Sequence, residues 1–143
     1  MSGFRVNTSD FKMKSLAIET KVKAGAYAGV QKATLDLHRI SSQIAPILSG
    51  DLRRTSTTRI RQTPMSVTGE VIFSVTTESP GYGPFNYAYW THEYTYKLGP
   101  KSQKAGGTDG YAVGNKYLER PLYGEAPKYV AWWAASIKAS IES

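Results

Sequence analysis

The sequence predicts an α+β domain, in which a long N-terminal helix and a C-terminal helix pack on a small antiparallel sheet. Apolar residues recur every three or four positions up to Ile44 and every second position after it. A second pattern of helical spacing closes the chain, after a long segment rich in glycine and lysine. Because 143 residues suffice for one hydrophobic core, we expect a single domain over residues 1–143.

Residues 1–8 carry no periodic pattern, and we expect them to form a flexible arm. The first helix is predicted from Phe11 to Ile44, because one apolar stripe runs through this segment at helical spacing. The stripe consists of Ile18, Val22, Ala26, Val30, Ala33, Leu37, Ile40 and Ile44. A helix of this length is long for a small domain, so Gly25 and Gly29 are candidate positions for a kink.

The first helix is expected to end at a structural hinge formed by Pro46, Gly50 and Asp51. Pro46 cannot continue a helix, because it lacks the backbone N–H and its ring clashes with the preceding turn. Gly50 can adopt a positive φ, and Asp51 can bond the backbone two residues further on. The hinge therefore marks the change from helix to strand.

Three strands are predicted after the hinge. Arg53–Thr63 is rich in arginine and threonine and has at least one face in water, whereas Gly69–Thr77 places valine and phenylalanine on one face. These two strands are expected to form a hairpin with a loop longer than two residues. Asn86–Tyr94 is predicted as a third strand, with large side chains on both faces.

A long loop and the last helix follow. Thr95–Val113 is expected to be an extended loop, mobile in the isolated chain, because its composition buries too little apolar surface to offset ordering. Its few apolar residues would order it on a partner in an assembly. The last helix is predicted from Lys128 to Ile141, after Pro127. Its docking stripe is expected to be Val130, Trp133, Ile137 and Ile141.

Residue types disfavour several classes of function. The chain has no cysteine, which excludes disulfides and thiol chemistry. It has neither the roughly 20 apolar residues that span a bilayer nor the apolar core of a signal peptide. His92 and Glu93 lie among tyrosines, but no aspartate is placed to orient the histidine, and nucleophile motifs are absent. We interpret His38 and His92 as structural, and expect no enzyme activity, cofactor or metal.

Charge and aromatic content favour a macromolecular partner. The net charge is +7, and the chain contains ten tyrosines and three tryptophans. Tyrosine, tryptophan and arginine dominate interface hot spots, and a basic surface attracts nucleic acid or acidic protein. Strand alternation would place Arg53, Arg59 and Arg61 on one face. Because a row of like charges is unfavourable unless solvent or an acidic partner takes it, we expect this row to face a neighbouring subunit or ring.

The order of motifs resembles the head–tail joining and tail-completion (minor capsid-type) proteins of long-tailed double-stranded-DNA bacteriophages. The resemblance covers about Phe11 to Ser143. It rests on Ala45-Pro46, Ser49-Gly50-Asp51-Leu52-Arg53, Tyr87-Ala88 with Glu93, the 95–113 loop, and Tyr117-Leu118-Glu119-Arg120-Pro121-Leu122. Two positions depart from the family pattern: Tyr94 stands where a glycine is usual, and Pro127 interrupts a helix that is usually continuous. Tail completion, stopper and terminator roles therefore stay open.

The resemblance implies a structural virion protein of the neck or tail end, assembled in the cytoplasm of a bacterial host, with no enzyme activity and no cofactor. It implies a ring of copies, usually six, between the head connector and the tail-tube or tail-terminator proteins. DNA passing through the lumen would make at most non-specific contact, and no membrane is involved. We expect the subunit or ring interface to use Arg53, Arg54, Arg59, Arg61, Tyr94, Tyr96, Lys97, Leu98, Lys101, Lys104 and Tyr111.

The alternative is a basic nucleic-acid-binding module, in which the four arginines and the strand tyrosines form a stacking platform. The two hypotheses differ in solution. A binding module should be small and discrete, and its affinity for nucleic acid should fall steeply with salt. A ring component should associate with increasing concentration and have little affinity for nucleic acid.

Overall fold

The computed structural model describes residues 4–7, 13–14, 20–47, 51–74, 76–79 and 83–143 of the chain. The helices are α1 Thr20–Ile44, α2 Asp51–Arg54, α3 Tyr87–Glu93, α4 Pro100–Lys104 and α5 Glu119–Glu142. The strands are β1 Phe4–Asn7, β2 Met13–Lys14, β3 Thr57–Thr63, β4 Ser66–Phe73, β5 Thr76–Ser79 and β6 Gly83–Asn86. The architecture is α+β, with two long helices and antiparallel strands, as predicted, although β1 and β2 precede the first long helix.

The main sheet is built around β4. All seven residues of β3 pair antiparallel with it, from Thr57 opposite Ile72 to Thr63 opposite Ser66. On its other side, β1 and β2 each pair antiparallel with a different part of β4. β5 and β6 form a separate two-stranded sheet that the sequence pattern did not predict. Among the described residues, β3 is therefore an outer edge of the main sheet.

α1 and α5 approach each other closely because two glycines face their contact. A methyl group on Gly25 would lie 2.7 Å from the Cα atom of Ile137, and one on Gly29 would lie 2.7 Å from the Cα atom of Trp133. No side chain larger than hydrogen fits at either position without moving a helix. These glycines, which we considered as kink positions, are therefore contact positions in an uninterrupted helix.

The hydrophobic core lies between α1, one face of β4 and α5. The predicted stripe of α1 is buried from Ala26 to Ile44, which confirms it for that part of the helix. The segment just before α5 also enters this core, with Tyr117 edge-on to Phe73 at a centroid distance of 5.0 Å. The largest buried side chains are Tyr117, Tyr129, Phe73, Leu37, Ile40, Ile44 and Leu118.

The N-terminal region differs from the prediction. Residues 4–7 form β1 instead of part of a flexible arm, and α1 begins at Thr20 instead of Phe11. Met13–Lys14 was expected to be helical, but it forms β2, which pairs with β4 as β1 does. The second side of β4 carries backbone donors and acceptors that need partners, so strand pairing outweighs the local helical spacing. Ile18, expected in the apolar stripe, lies outside the described residues.

α1 ends at Ile44, two residues before Pro46, the first residue of the predicted hinge, whose side chain is buried. The Ala45 N–H still donates to the Ser41 carbonyl at 3.0 Å. Asp51, expected in a turn, is the first residue of α2. Gly50 lies outside the described residues, so the positive φ expected there stays a prediction.

The hairpin predicted after the hinge is confirmed with corrected bounds. α2 takes up the beginning of the predicted strand, and β3 spans Thr57–Thr63. The loop between β3 and β4 contains only Pro64 and Met65, so the expectation of a longer loop was wrong. The Met65 N–H donates to the Thr63 hydroxyl at 3.3 Å, which supports a two-residue turn.

The third predicted strand is a helix. Tyr87–Glu93 forms α3 where a strand was expected over Asn86–Tyr94. Its buried residues are Ala88, Thr91 and His92, spaced as one face of a helix. Aromatic and β-branched residues suggested a strand, but that preference depends on context, and burial of this face against the core decides the conformation.

The last helix is longer than predicted. It begins at Glu119 instead of Lys128 and contains Pro127 in its interior. A proline inside a helix removes one backbone hydrogen bond and is tolerated only where packing compensates. Here the packing of α5 along α1 provides that compensation, and the helix continues through Pro127.

The docking stripe predicted for α5 is confirmed only in part: Trp133 and Ile137 are partly buried and pack against the core. Val130 and Ile141, expected in the docking stripe, are 46% and 53% exposed, whereas Tyr129 is fully buried. The spacing of apolar residues alone did not distinguish the two sides, because α5 carries such residues on both. The glycines of α1 decide between them, since they admit the backbone of α5 at Trp133 and Ile137.

Segment 95–113, expected to be an extended and mobile loop, is folded onto the rest of the chain. It contains α4, and Thr108 and Tyr111 join through two backbone hydrogen bonds of 3.1 and 2.8 Å. The Ser102 hydroxyl accepts from the Ile47 N–H at 2.7 Å and donates to the Ile47 carbonyl at 3.1 Å. The segment therefore packs on its own chain through these contacts instead of extending away from it.

We predict that Gly29→Leu destabilises the fold, because the new side chain meets the backbone of α5. Overpacking of this kind costs about 1–3 kcal/mol. Ala28→Leu is the matched control, because Ala28 is exposed on the same helix. Thermal unfolding should show a clear loss of Tm for Gly29→Leu and little change for Ala28→Leu. Equal Tm values for the two variants would contradict the glycine contact.

Candidate interaction site

The residues predicted to form an interface lie in three separate places. Arg59 and Arg61 are on β3, while Arg53 and Arg54 are on α2. A second group lies at or near a cavity beside α3: Tyr96, Lys97 and Leu98 line it, Tyr94 stacks on its wall residue Trp90, and Lys101 and Lys104 belong to the neighbouring α4. Tyr111 stands apart from both groups, against α5. The structure therefore does not bring the predicted residues together as one surface.

The arginines of β3 are paired inside the chain. The Glu70 carboxylate on β4 is 2% exposed, and it lies 3.6 Å from Arg59 Nε and 3.1 Å from Arg61 Nε. Arg59 is directly opposite Glu70 in the register of the sheet. Arg53 is not on this strand, which corrects the predicted row of three. A buried carboxylate of the same chain therefore offsets one of the two like charges that we assigned to an acidic partner.

Arg53 has a structural role at the end of α1. Its guanidinium donates from Nε to the Ala45 carbonyl at 2.9 Å and from a terminal nitrogen to the Gln43 carbonyl at 2.9 Å. The last carbonyls of a helix have no partner within the helix, and an arginine is well suited to satisfy them. Burial lowers the pKa of Arg53. This side chain therefore fixes α2 against the hinge.

The second group surrounds an aromatic cavity of about 320 Å³. Its walls are Pro46, Ile47, Trp90, Thr91, Tyr96, Lys97, Leu98, Gly99 and Ser102. The rings of Trp90 and Tyr96 stack with centroids 5.0 Å apart, and Tyr94 stacks on Trp90 at 6.3 Å. Tyr94, Tyr96 and Leu98 were predicted to be interface residues, but Trp90 was missed because its segment was predicted as a strand. Pro46 and Ile47 were missed as wall residues because they are distant in sequence.

Tyr111 fastens segment 95–113 to α5. Its hydroxyl donates to a Glu125 carboxylate oxygen at 2.8 Å, and burial together with this carboxylate raises the pKa of Tyr111 to about 12. Nearby, the Asp109 carboxylate accepts from two Arg39 nitrogens at 2.9 and 3.0 Å, and this pairing lowers the pKa of Asp109. Tyr111 is thus used within the chain instead of being presented to a partner.

Asp36 joins α1 to α5 through charged and polar contacts. Its carboxylate accepts from the Tyr129 hydroxyl at 2.8 Å and lies 3.0 Å from Lys128 Nζ and 2.9 Å from an Arg39 nitrogen. Burial alone would raise the pKa of Asp36, but these donors lower it below its ordinary value. These polar contacts link α1 and α5 at the solvent-facing edge of their packed surface.

His92 and Glu93 lie next to each other beside the core. The His92 side chain is buried, packs edge-on to Tyr117 at 5.1 Å, and places Nδ1 3.6 Å from the nearer Glu93 oxygen. Burial lowers the pKa of His92 to about 4, so the imidazole is neutral at pH 7. Lys116 binds Glu93 and lowers the pKa of its carboxyl. His38, half-buried, bonds the Ser56 hydroxyl through Nε2 at 2.7 Å.

An exposed apolar row on α5 was not predicted. We call it the outer stripe of α5, and it consists of Tyr123, Pro127, Val130, Ala134 and Ile141. These residues are separated by three, four or seven positions and therefore share one side of the helix. Tyr123 is 62% exposed, Val130 46% and Ile141 53%. Of these residues, Val130 and Ile141 were predicted to face the core, whereas Tyr123, Pro127 and Ala134 were not assigned to either side.

No protein-family model, curated protein or solved structure matched the chain.

Two further findings concern the described residues only. They contain no group of three histidine, cysteine, aspartate or glutamate side chains placed to hold a metal ion. None of their helices combines the length and apolar character needed to cross a membrane.

We predict that reversing both β3 arginines, Arg59→Glu with Arg61→Glu, destabilises the isolated chain. The change would place three carboxylates together, one of them buried. Leaving a buried charged group without its partner costs on the order of 1–3 kcal/mol or more. Lys101→Glu with Lys104→Glu changes the net charge equally on the exposed surface of α4 and is the control. Chemical denaturation should separate the pairs, and equal stability would show that Glu70 does not depend on these arginines.

We predict that His92 makes the fold less stable as the pH falls from about 6.5 to about 4. Its pKa is lowered from 6.5 to about 4 in the folded chain. In that range the unfolded chain binds a proton that the folded chain does not, so stability decreases with falling pH. His92→Gln should flatten the dependence of Tm on pH, and His38→Gln should flatten it less, because His38 is less buried. Parallel curves for wild type and His92→Gln would contradict this assignment.

Proposed function

We propose that this protein is a structural component of the neck or tail end of a long-tailed double-stranded-DNA bacteriophage. In this proposal its copies form a ring that joins or completes the tail at the head–tail interface. The neighbours would be a head-connector protein on one side and a tail-tube or tail-terminator protein on the other. The protein would be assembled in the bacterial cytoplasm and would remain in the virion.

The observation that carries the proposal is that the motif residues behind the family resemblance converge in the folded chain. Ala45, Leu52, Ala88 and Leu122 come from motifs spread over the sequence, and all are buried in one hydrophobic cluster with Tyr117 and Leu118. Residues that jointly specify one fold are expected to meet in this way. This convergence supports the interpretation that the motifs together specify one fold and are not a chance series of short matches.

Polar contacts link the same motifs. Arg53 of the second motif binds the carbonyl of Ala45 in the first. The hydroxyl of Tyr117, in the last motif, donates to the Ala88 carbonyl at 2.7 Å. Such contacts explain why these residue types would recur together at these places. They support the relationship on which the proposed function depends.

The exposed surface supports assembly into a ring. A closed ring is built from heterologous contacts, in which one patch of each copy meets a different patch of the next. The outer stripe of α5 supplies an apolar patch, and the edge strand β3 is a second, differently shaped one. The exposed Lys138 lies between Ala134 and Ile141 in this stripe, so its apolar part is concentrated between Tyr123 and Ala134. Clustered apolar side chains on a surface are typical of protein–protein contacts.

Nucleic-acid binding is the second candidate. Its support is the net charge of +7 and the exposed lysines beside the stacked Trp90 and Tyr94. Its proposed arginine platform is less suitable than the sequence suggested, because Arg59 and Arg61 pair with Glu70 and Arg53 binds backbone carbonyls. For this reason we rank it below the structural role.

We predict that the purified chain associates with increasing concentration into one discrete oligomer, expected to be sixfold. Native mass spectrometry would give the copy number, and electron microscopy of the same sample should show a ring with an open centre. In a tailed particle that contains this protein, an antibody label should map to the neck. Val130→Glu should prevent association without changing Tm, because it places a charge within the outer stripe of α5.

Leu35→Glu is the matched control, because Leu35 is 52% exposed on the other long helix. It should leave association intact. A chain that stays monomeric at all concentrations, or that forms only a closed twofold dimer, contradicts the ring. Salt-dependent binding of nucleic acid by such a monomer would favour the second candidate.

A further inference from the structure

A second, smaller cavity adjoins the aromatic cavity. It has a volume of about 280 Å³ and is lined by Ile47, Gly99, Pro100 and Lys101. Ile47 and Gly99 line both cavities, and we call the two adjoining spaces between Pro46–Ile47 and segment 96–101 the groove. Each volume is at or just below the lower limit of ordinary small-molecule pockets, and suits one or two side chains better than a cofactor.

The walls of the groove are held in place by contacts within the chain. Ser102 bonds both backbone groups of Ile47, which ties α4 to the hinge on the far wall. The Tyr96 hydroxyl donates to the Thr91 carbonyl, and its ring stacks on Trp90. A groove that is already formed loses little entropy when a ligand binds, so even a short segment could bind there.

The chemistry of the groove is apolar inside and basic at its rim. Pro46, Ile47 and Leu98 supply aliphatic surface next to the stacked aromatic rings. Lys97 and Lys101 line the groove, are exposed to solvent, and are followed by the exposed Lys104 on α4. An occupant that complements both features carries an apolar side chain and negative charges close to it.

We propose that this groove binds an extended acidic peptide segment of a partner protein, with one large apolar side chain inserted beside Trp90 and Leu98. The peptide carboxylates would lie near Lys97 and Lys101. Recognition of an extended peptide by aromatic side chains in a groove is a common binding mode. The site does not rest on the ring proposed above, because a free peptide can bind an isolated chain.

A peptide fits this groove better than single-stranded nucleic acid does. Base binding requires open aromatic faces, but Trp90 and Tyr96 stack on each other and cover one face of each ring. Pro46 and Ile47 also line the cavity and offer no aromatic stacking surface. These residues accommodate an aliphatic side chain, whose burial drives binding through the apolar area removed from water.

The experiment measures binding of a fluorescent ten-residue peptide made of aspartate and glutamate with one central leucine, by fluorescence anisotropy against the full chain. We expect saturable binding that weakens with salt, since exposed charges contribute. A peptide with glycine in place of the leucine should bind about tenfold more weakly, because it lacks the anchor. A peptide with lysines in place of the acidic residues should not bind.

Two matched pairs of variants locate the site. Leu98→Ala should weaken binding of the leucine peptide by about tenfold, whereas Leu35→Ala, at an exposed leucine on α1, should not change it. Lys101→Glu should weaken binding, whereas Lys138→Glu, at an exposed lysine on α5, should have little effect. All four variants should keep the wild-type Tm, since none removes a fully buried side chain.

Several results would overturn the proposal. Equal binding of the leucine and glycine peptides would mean that only surface charge is recognised. Equal effects of Leu98→Ala and Leu35→Ala would place the binding elsewhere. Displacement of the peptide by single-stranded DNA would indicate a nucleic-acid site. Loss of self-association in Leu98→Ala would identify a second copy of this chain as the occupant. These results are distinct from failure of the ring, which is tested by Val130→Glu.

Discussion

The close contact between α1 and α5 is the constraint on which the rest of the structure depends. Gly25 and Gly29 let the two helices approach until the backbone of one lies against the backbone of the other. That approach selects which side of α5 faces inward, and it leaves the other apolar side in water. α1 approaches the sheet equally closely at Gly69, where a methyl group would lie 1.8 Å from the Thr34 hydroxyl oxygen. Small residues at these three positions therefore fix the spacing of helix, helix and sheet, and the larger core side chains fill the space that remains.

The charges of this basic chain are organised by a few carboxylates. Glu70 forms ion pairs with two arginines of the sheet, and Asp36 forms ion pairs with Arg39 of α1 and Lys128 of α5. Asp109 also pairs with Arg39. A buried or half-buried carboxylate is favourable only with such partners, because desolvation of an unpaired charge is costly. A large part of the arginine content thus stabilises the fold. The exposed basic residues that line the groove are lysines, which suits a surface contact in which flexible cations meet an acidic partner.

Both proposed interaction surfaces are built on rigid elements. The groove is positioned by the end of α1, by α3 and by α4, although two of its walls are irregular segments. The outer stripe of α5 is carried by a helix anchored along its full opposite side. When a scaffold holds loops and surface patches in place, their side chains lose little conformational entropy on binding. A ring component needs such preformed surfaces, because each copy must meet its neighbours with the same geometry.

The sequence by itself determined the fold class, the apolar stripe of α1 from Ala26 to Ile44 and the pairing of β3 with β4, because these follow from local periodicity and from closeness in the sequence. It also indicated Tyr94, Tyr96 and Leu98 as unusual apolar residues in a polar segment. Only the tertiary structure decided that residues 4–7 pair with β4, that Tyr87–Glu93 is helical and that α5 exposes Val130. Each of these depends on a partner far away in the sequence: an open strand side, a buried helical face and a pair of glycines. The spacing of apolar residues predicts that a residue is buried, but it does not predict which element covers it. The groove formed by Ile47, Trp90 and Leu98 exists only after the chain has folded.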